Sequence, residues 1–307
     1  MGGGFFARRA FTLCDDGFRP SASTSKNDGM TRLPTLLDDL EGRPSLAQPE
    51  RVHERLEALE ALERCLTLVD TAGDPLHMRA SALVARLEAI NQVLYQSIRD
   101  DIRRGRGAAS LLELAAGVSQ PRGDGYDALD ELVSGVLEFD PPDASTMTLS
   151  DDMVFYQPTP ARHAFAMLAR TGLDSSDVLV DLGSGLGHVP LLAGICTDAR
   201  AIGVELEPAY VACARQAAAE LALSRVEFLQ QDARVADLSS GTVFYLYTPF
   251  RGAIMRDVLD RLREEASRRA IRICTFGPCT PVVAREPWLS GSDALHTDRI
   301  TVFHATR

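Results

Sequence analysis

The stretch Val178-Leu-Val-Asp-Leu-Gly-Ser-Gly-Leu-Gly-His188 decides the fold. Val178 to Val180 is a short apolar run of the kind that forms a buried strand. Asp181 follows, and then three glycines at alternate positions, Gly183, Gly185 and Gly187. A new apolar segment of helical character runs from Val189 to Ile195. A strand, a glycine turn and a helix start together leave backbone amides bare, where a ligand can reach them.

Outward from this stretch, strand and helix patterns alternate. Strands are predicted at 178–181, 201–205, 226–230, 242–247 and 271–276, with a last one at 300–304. Pro190–Cys196, Pro208–Ala222 and Gly252–Ala270 supply the intervening helices. Such alternation predicts an α/β fold with a Rossmann-like, mostly parallel twisted sheet covered on both faces. The stretch from Gly277 to Asp298, with Cys279 and Trp288, reads as irregular and is expected to shape the substrate side. Upstream, Thr159 and Pro160 in Phe155-Tyr-Gln-Pro-Thr-Pro160 read as the N-cap and first residue of a helix through Arg170.

The first half of the chain is helical in pattern. Val52, Leu56, Leu59, Leu62, Leu66 and Val69 recur at steps of three and four, as do Leu76, Leu83, Leu87, Ile90, Leu94 and Ile98. Asp74 and Pro75 between them are an N-cap and a first helical residue, which predicts a helical hairpin. Further helices are expected near 107–117 and 125–138. Residues 1–30, rich in Gly, Ser and Arg, read as a disordered leader. The expected organisation is therefore a leader over 1–30, an all-α block over 31–140 and a ligand-binding α/β domain over 141–307, with Asp140-Pro-Pro-Asp143 at the boundary. The apolar stripes of the block serve a local core first, and a homo-oligomeric contact second.

The formal net charge of −11 provides no global basic field for nucleic acid or an anionic membrane. Six cysteines are scattered with no Cys-x-x-Cys pair, so free structural thiols are expected and no metal site is read. No apolar run approaches the roughly 18 to 20 residues of a membrane span. The N-terminal residues fail as a secretory signal, and a reducing, cytoplasmic home is the expectation.

Two chemistries compete for the glycine turn. A dinucleotide site wants Gly-x-Gly-x-x-Gly, which from Gly183 requires glycine at 188. That position is His188, and the glycine falls one place early, at Gly187. A nicotinamide-dependent oxidoreductase is disfavoured on that register. Glu205 ends the next strand, 22 residues after Gly183, where an acid accepts hydrogen bonds from ribose hydroxyls. Asp232-Ala233 ends the strand after that.

Asp-x-Gly-x-Gly-x-Gly with an acid at each of the next two strand ends resembles the class I methyltransferases that bind S-adenosyl-L-methionine. That ligand has a cationic amino-acid end and no phosphate, so a carboxylate beside the turn suits it. The resemblance implies cofactor contacts at Asp181, Gly183, Ser184, Gly185 and Gly187, with Glu205 on the ribose and Asp232 and Ala233 on the adenine. The order of a helical block, Tyr156-Gln-Pro-Thr-Pro160, the glycine turn and Gly203-Val-Glu205-Leu-Glu-Pro208 is further similar to the non-SET histone lysine methyltransferases and their bacterial relatives. In that family the Pro-Thr segment folds over the methionine end of the cofactor, which implies Tyr156 and Thr159 as contacts.

The fourth strand ends in Tyr247-Thr248-Pro249-Phe250. Amino methyltransferases of nucleic acids carry Asn or Asp at its start, and its replacement by Tyr247 disfavours base methylation. Tyr247 and Phe250 are candidates for an aromatic wall around the methyl group. Tyr247, His163 and His188 are the candidate bases, with Tyr247 taken as the catalytic residue. The expected function is methyl transfer to a protein side chain, lysine included, or to a small molecule. The alternative is a regulatory protein that binds the cofactor without catalysis, motivated by the departure at Tyr247-Thr248.

Overall fold

The computed structural model describes residues 26–68, 74–116, 125–140, 152–154, 156–291 and 296–306. Most of the expected leader, the residues at 71–73 and most of the Asp140–Asp143 boundary lie outside these. In chain order the helices are α1 (Lys26–Glu41), α2 (Val52–Leu68), α3 (Pro75–Arg103), α4 (Gly107–Ala116), α5 (Ala128–Leu137), α6 (Ala161–Thr171), α7 (His188–Cys196), α8 (Pro208–Glu220), α9 (Gly252–Arg268) and the short α10 (Thr280–Val283). The strands are β1 (Val178–Leu182), β2 (Arg200–Glu205), β3 (Val226–Gln230), β4 (Val243–Leu246), β5 (Arg272–Thr275), β6 (Leu289–Gly291) and β7 (Thr301–Ala305). The chain divides into two compact units, Met1–Ile98 with Glu131–Val136, and Arg99–Asp130 with Leu137–Arg307.

The first unit is helical. Leu33, Leu37 and Leu40 of α1 are buried, as are Val52, Leu56, Leu59 and Leu62 of α2 and Leu83, Leu87 and Ile98 of α3. The three-and-four spacing of these leucines places them on one stripe of each helix, and burying that stripe is what stabilises helices of such ordinary propensity. Asp74 caps α3 as expected, its Oδ1 accepting the Leu76 N–H at 2.9 Å. Arg55 of α2 is fully buried and donates to Asn91 Oδ1 on α3 at 2.6 Å and to the Leu46 and Gln48 carbonyls. These bonds hold the turn before α2 against the helices.

The second unit is built on a seven-stranded sheet in the order β3-β2-β1-β4-β5-β7-β6. β1 to β5 are parallel, and β7 runs antiparallel between β5 and β6. This is the expected Rossmann-like, mostly parallel sheet. β4 is buried along its whole length and β1 from Leu179 onward, which is why both read as continuous apolar runs rather than alternating ones. Val180, Leu182, Phe244, Leu246 and Ile273 of the sheet share one core with Val258, Leu259 and Leu262 of α9. α7 and α8 pack against β2 and β3. Of the described strands the sequence missed only β6, three residues inside the stretch read as irregular, because a strand that short has no period to detect. It also missed α1, whose first residues, 26–30, were read as part of the disordered leader, and the one-turn α10.

Candidate active site at the ends of β1, β2 and β4

Strand order reverses between β1 and β4, and in open α/β sheets the crevice at the carboxyl ends of such strands is where ligands bind. The glycine turn lies there. Gly183 and Gly185 both have left-handed backbone, with φ of 84° and 53°. A Cβ on Gly183 would overlap the Pro249 ring, and one on Gly185 would overlap the Tyr156 ring. Backbone conformation and close packing thus both demand glycine. The turn is fixed by Gly183 and Ser184 N–H groups donating to the Val204 carbonyl at 2.8 and 3.1 Å.

Glu205 organises the next layer. Its Oε2 accepts the Gly185 N–H at 2.8 Å, and its Oε1 accepts the N–H groups of Leu206 at 2.7 Å and Glu207 at 2.9 Å. The carboxylate therefore joins the glycine turn to the start of the loop before α8. Three of its roughly four acceptor positions are filled by the chain, which leaves one on Oε2 for a ligand hydroxyl. Asp181 is only 5% exposed and accepts no hydrogen bond from any described residue. Burial, and then the charge of Glu205, push its carboxyl well above the ordinary value of 3.8. Ser184 Oγ is likewise buried with no partner among the described residues. A buried hydroxyl without a partner on the turn and a buried carboxyl at the end of β1 suit a ligand that brings a donor or a positive charge.

The segment before α6 crosses this turn. Tyr156 packs on Gly185 and against Tyr210, with ring centroids 5.0 Å apart. Its hydroxyl oxygen lies 3.2 Å from His188 Nδ1. Thr159 pairs with the Tyr245 hydroxyl at 3.1 Å, and Tyr245 stands beside Asp181 in the parallel register of β1 and β4. Thr159 is not the helix cap. Asp130 does that work, its Oδ1 accepting the Ala161 N–H at 2.6 Å, while Tyr126 donates to the Pro158 carbonyl at 2.9 Å. On the other side, Met153 bridges Phe250 and the Asp152 carbonyl accepts the Arg251 N–H at 2.8 Å.

No protein-family model matches the chain, and no curated protein matches it. Solved structures share part of it. An RNA methyltransferase from Salinibacter ruber in complex with S-adenosyl-L-homocysteine is 29% identical over 48% of this chain and 92% of its own, with a TM-score of 0.37. A precorrin-6y C5,15-methyltransferase from Geobacter metallireducens is 15% identical over 54% of this chain and 96% of its own, at a TM-score of 0.36. A tRNA (uracil-54, C5)-methyltransferase from Pyrococcus abyssi in complex with S-adenosyl-L-homocysteine is 16% identical over 48% and 39%, also at 0.36. All three of these are methyltransferases.

The remaining candidates are placed as follows. Asp232 lies in the turn after β3, one residue beyond Gln231, whose N–H donates to the Glu205 carbonyl at 3.0 Å. Its own carboxylate is gripped by Arg234, through the backbone N–H at 2.8 Å and Nη2 at 2.6 Å, and this pairing holds its pKa below 3.8. Ala233 is buried, and its carbonyl accepts from Arg261. Gly187 caps α7 and packs on Phe228. Tyr247 is half-buried and faces Phe276 at 4.8 Å, whereas Phe250 turns into the core. The expected wall of Tyr247 and Phe250 is therefore not formed; the aromatic partner of Tyr247 is Phe276. His163 is buried and stacked on Phe276 at 4.0 Å. Burial pushes His188 down to about 4, so it is not placed as a ready base. Tyr245, Asp130, Tyr126 and Phe276 escaped the sequence reading. Tyr245 had one signal, a hydroxyl in the middle of an otherwise apolar strand.

Proposed function

We propose that the chain is a methyltransferase dependent on S-adenosyl-L-methionine, acting on a protein side chain, lysine among them, or on a small molecule. One observation carries this reading: the Gly185 amide and the Glu205 carboxylate are locked together at the strand switch point, beside the buried, unpaired Asp181. The donor set fits the cofactor. Asp181 provides a carboxylate for a cationic amino-acid end, Glu205 keeps an acceptor for a ribose hydroxyl, and Gly183, Ser184, Gly185 and Gly187 give a turn with no side chains in the way. Asp232 and Ala233 are the adenine side of the same proposal, and Tyr156 and Thr159 its cover.

When bound, the cofactor supplies a methyl sulfonium, already a strong electrophile. The chain's own part is then to align and to exclude water. Tyr247 and Phe276 line the end of β4, where the acceptor would enter, and Tyr247 is the candidate catalytic residue there. The acidic balance of the chain favours acceptors other than nucleic acid. The division into a helical block at 31–140 and a cofactor domain at 141–307, a homo-oligomeric contact through that block, and a reducing, cytoplasmic setting belong to this proposal too. Among the described residues no helix is long and apolar enough to cross a membrane.

Calorimetry with S-adenosyl-L-homocysteine tests the cofactor reading. Saturable binding that Glu205→Ala weakens is expected; no binding, or binding indifferent to that change, overturns it. Incubation with methyl-labelled cofactor and fractionated lysate then separates enzyme from regulator: a labelled acceptor is expected, and none in any fraction favours the regulatory reading.

A further inference from the structure

His188 is a buried histidine on the glycine turn for which proton transfer is an unsuitable role. It is the first residue of α7, directly after Gly187. On one side its ring packs against Phe139, with centroids 4.6 Å apart and planes tilted by 53°. Phe139 follows Glu138, whose left-handed backbone (φ 50°) is accompanied by an ion pair to Arg99 at 2.8 Å. On the other side Nδ1 of His188 meets the Tyr156 hydroxyl at 3.2 Å. A neutral imidazole with its proton on Nε2 accepts from the Tyr156 hydroxyl at Nδ1. Burial, which pushes the group down to about 4, agrees with this tautomer across the neutral range.

Tyr156 in turn covers Gly185, whose N–H is bonded to Glu205. A line of direct contacts thus runs from Phe139 through His188 and Tyr156 to the backbone amide at the centre of the site. The Tyr156 ring also packs on Gly185 and against Tyr210. The His188 nitrogen gives the Tyr156 hydroxyl a partner in a fixed direction.

We propose that His188 is a positioning residue, seated by Phe139, which orients Tyr156 over the glycine turn and so sets affinity for the adenosyl ligand. The inference rests on the cofactor reading above and adds to it a residue that acts through another. It also assigns the pairing a specific signature. Losing the His188 acceptor matters only while Tyr156 has a hydroxyl to donate.

The test is a double-mutant cycle read by calorimetry with S-adenosyl-L-homocysteine, on the full chain. Tyr156→Phe and His188→Ala are each expected to weaken binding about tenfold, the size of one well-placed hydrogen bond, and the double variant no more than either alone. His188→Gln, which retains an acceptor at similar reach, is expected to recover most of the affinity. Phe139→Ala should act in the same direction as His188→Ala. If His188→Ala is too unstable to purify, His188→Leu, which fills the site without an acceptor, closes the same cycle with Tyr156→Phe and the corresponding double variant. Additive losses in the double variant overturn the proposal, as does normal ligand affinity in His188→Ala. Absence of binding by the unaltered protein overturns the cofactor reading itself, a different result from either.

Discussion

The ends of β1 and β4 lie next to each other in one sheet, yet they are held in different ways. The β1 turn is fixed by its own neighbourhood: Gly183 and Ser184 bond the end of β2, and Glu205, which ends that strand, bonds Gly185. The β4 end is fixed from a distance. Thr248 has left-handed backbone at φ 40° and accepts the N–H of Cys279, 31 residues on, at 3.1 Å. Cys279 Sγ in turn donates to the Leu246 carbonyl, and Phe276 packs on Tyr247. A non-glycine residue with positive φ persists only where its surroundings over-determine it, and functional sites are where such strain collects. In the proposed function, one end is the side that meets the ligand with backbone and acids, and the other the side that frames it with packed aromatic rings.

The largest expected effect tests the backbone half of that contrast. Gly185→Ala places a methyl group into the Tyr156 ring at a backbone angle that disfavours side chains. Strain of about 1–3 kcal/mol and displacement of Tyr156 should lower affinity for S-adenosyl-L-homocysteine more than about 100-fold, with a lowered melting temperature. Near-normal calorimetric binding would mean the turn does not approach the ligand. Glu205→Gln comes next. It keeps the shape but weakens three charge-assisted bonds from backbone amides and the remaining acceptor, for an expected loss of about 10- to 100-fold in the same titration.

Asp181→Asn should separate stability from binding. The folded carboxyl holds its proton to higher pH than the unfolded one, because burial and then Glu205 oppose its charge. Between the ordinary value of 3.8 and that raised value the folded state carries more protons than the unfolded state, so stability falls as pH rises through this window. Asparagine removes that penalty. The unliganded variant should melt higher than the parent at pH 7 to 8, with the advantage fading toward pH 4, while affinity for the ligand falls about tenfold from loss of the counter-charge. A melting difference independent of pH would show that Asp181 is not the group responsible. The smallest expected effect on cofactor affinity belongs to the β4 side. Tyr247→Ala should leave S-adenosyl-L-homocysteine binding within about twofold, whereas transfer to a labelled acceptor should collapse. A large loss of binding instead would dissolve the distinction between the two strand ends.

The two regions also differ in how far they could be read from residues alone. Residues that act through neighbours a few places away, or at the next strand end, left a spacing. The glycines at 183, 185 and 187, Asp181 and Glu205 are of that kind. Residues that act across the fold left none. Asp130 caps a helix 31 positions later, and Thr159, placed where a cap belongs, is drawn to Tyr245 instead. Phe250 reads as an aromatic wall and is core, because the bridge from Met153 and the packing of α9 bury it.

Sequence by itself determined the alternation of strand and helix, the parallel sheet, the cap at Asp74 and the position of the glycine turn. All of these follow from local periodicity and backbone stereochemistry, which act within a few residues. Only the tertiary structure decided which carboxylates bond the turn and which remain unpaired, that Tyr156 covers it, and that His188 faces a tyrosine rather than a substrate. Those outcomes depend on burial and on contacts between segments far apart in the chain, and neither quantity is written in the order of the residues.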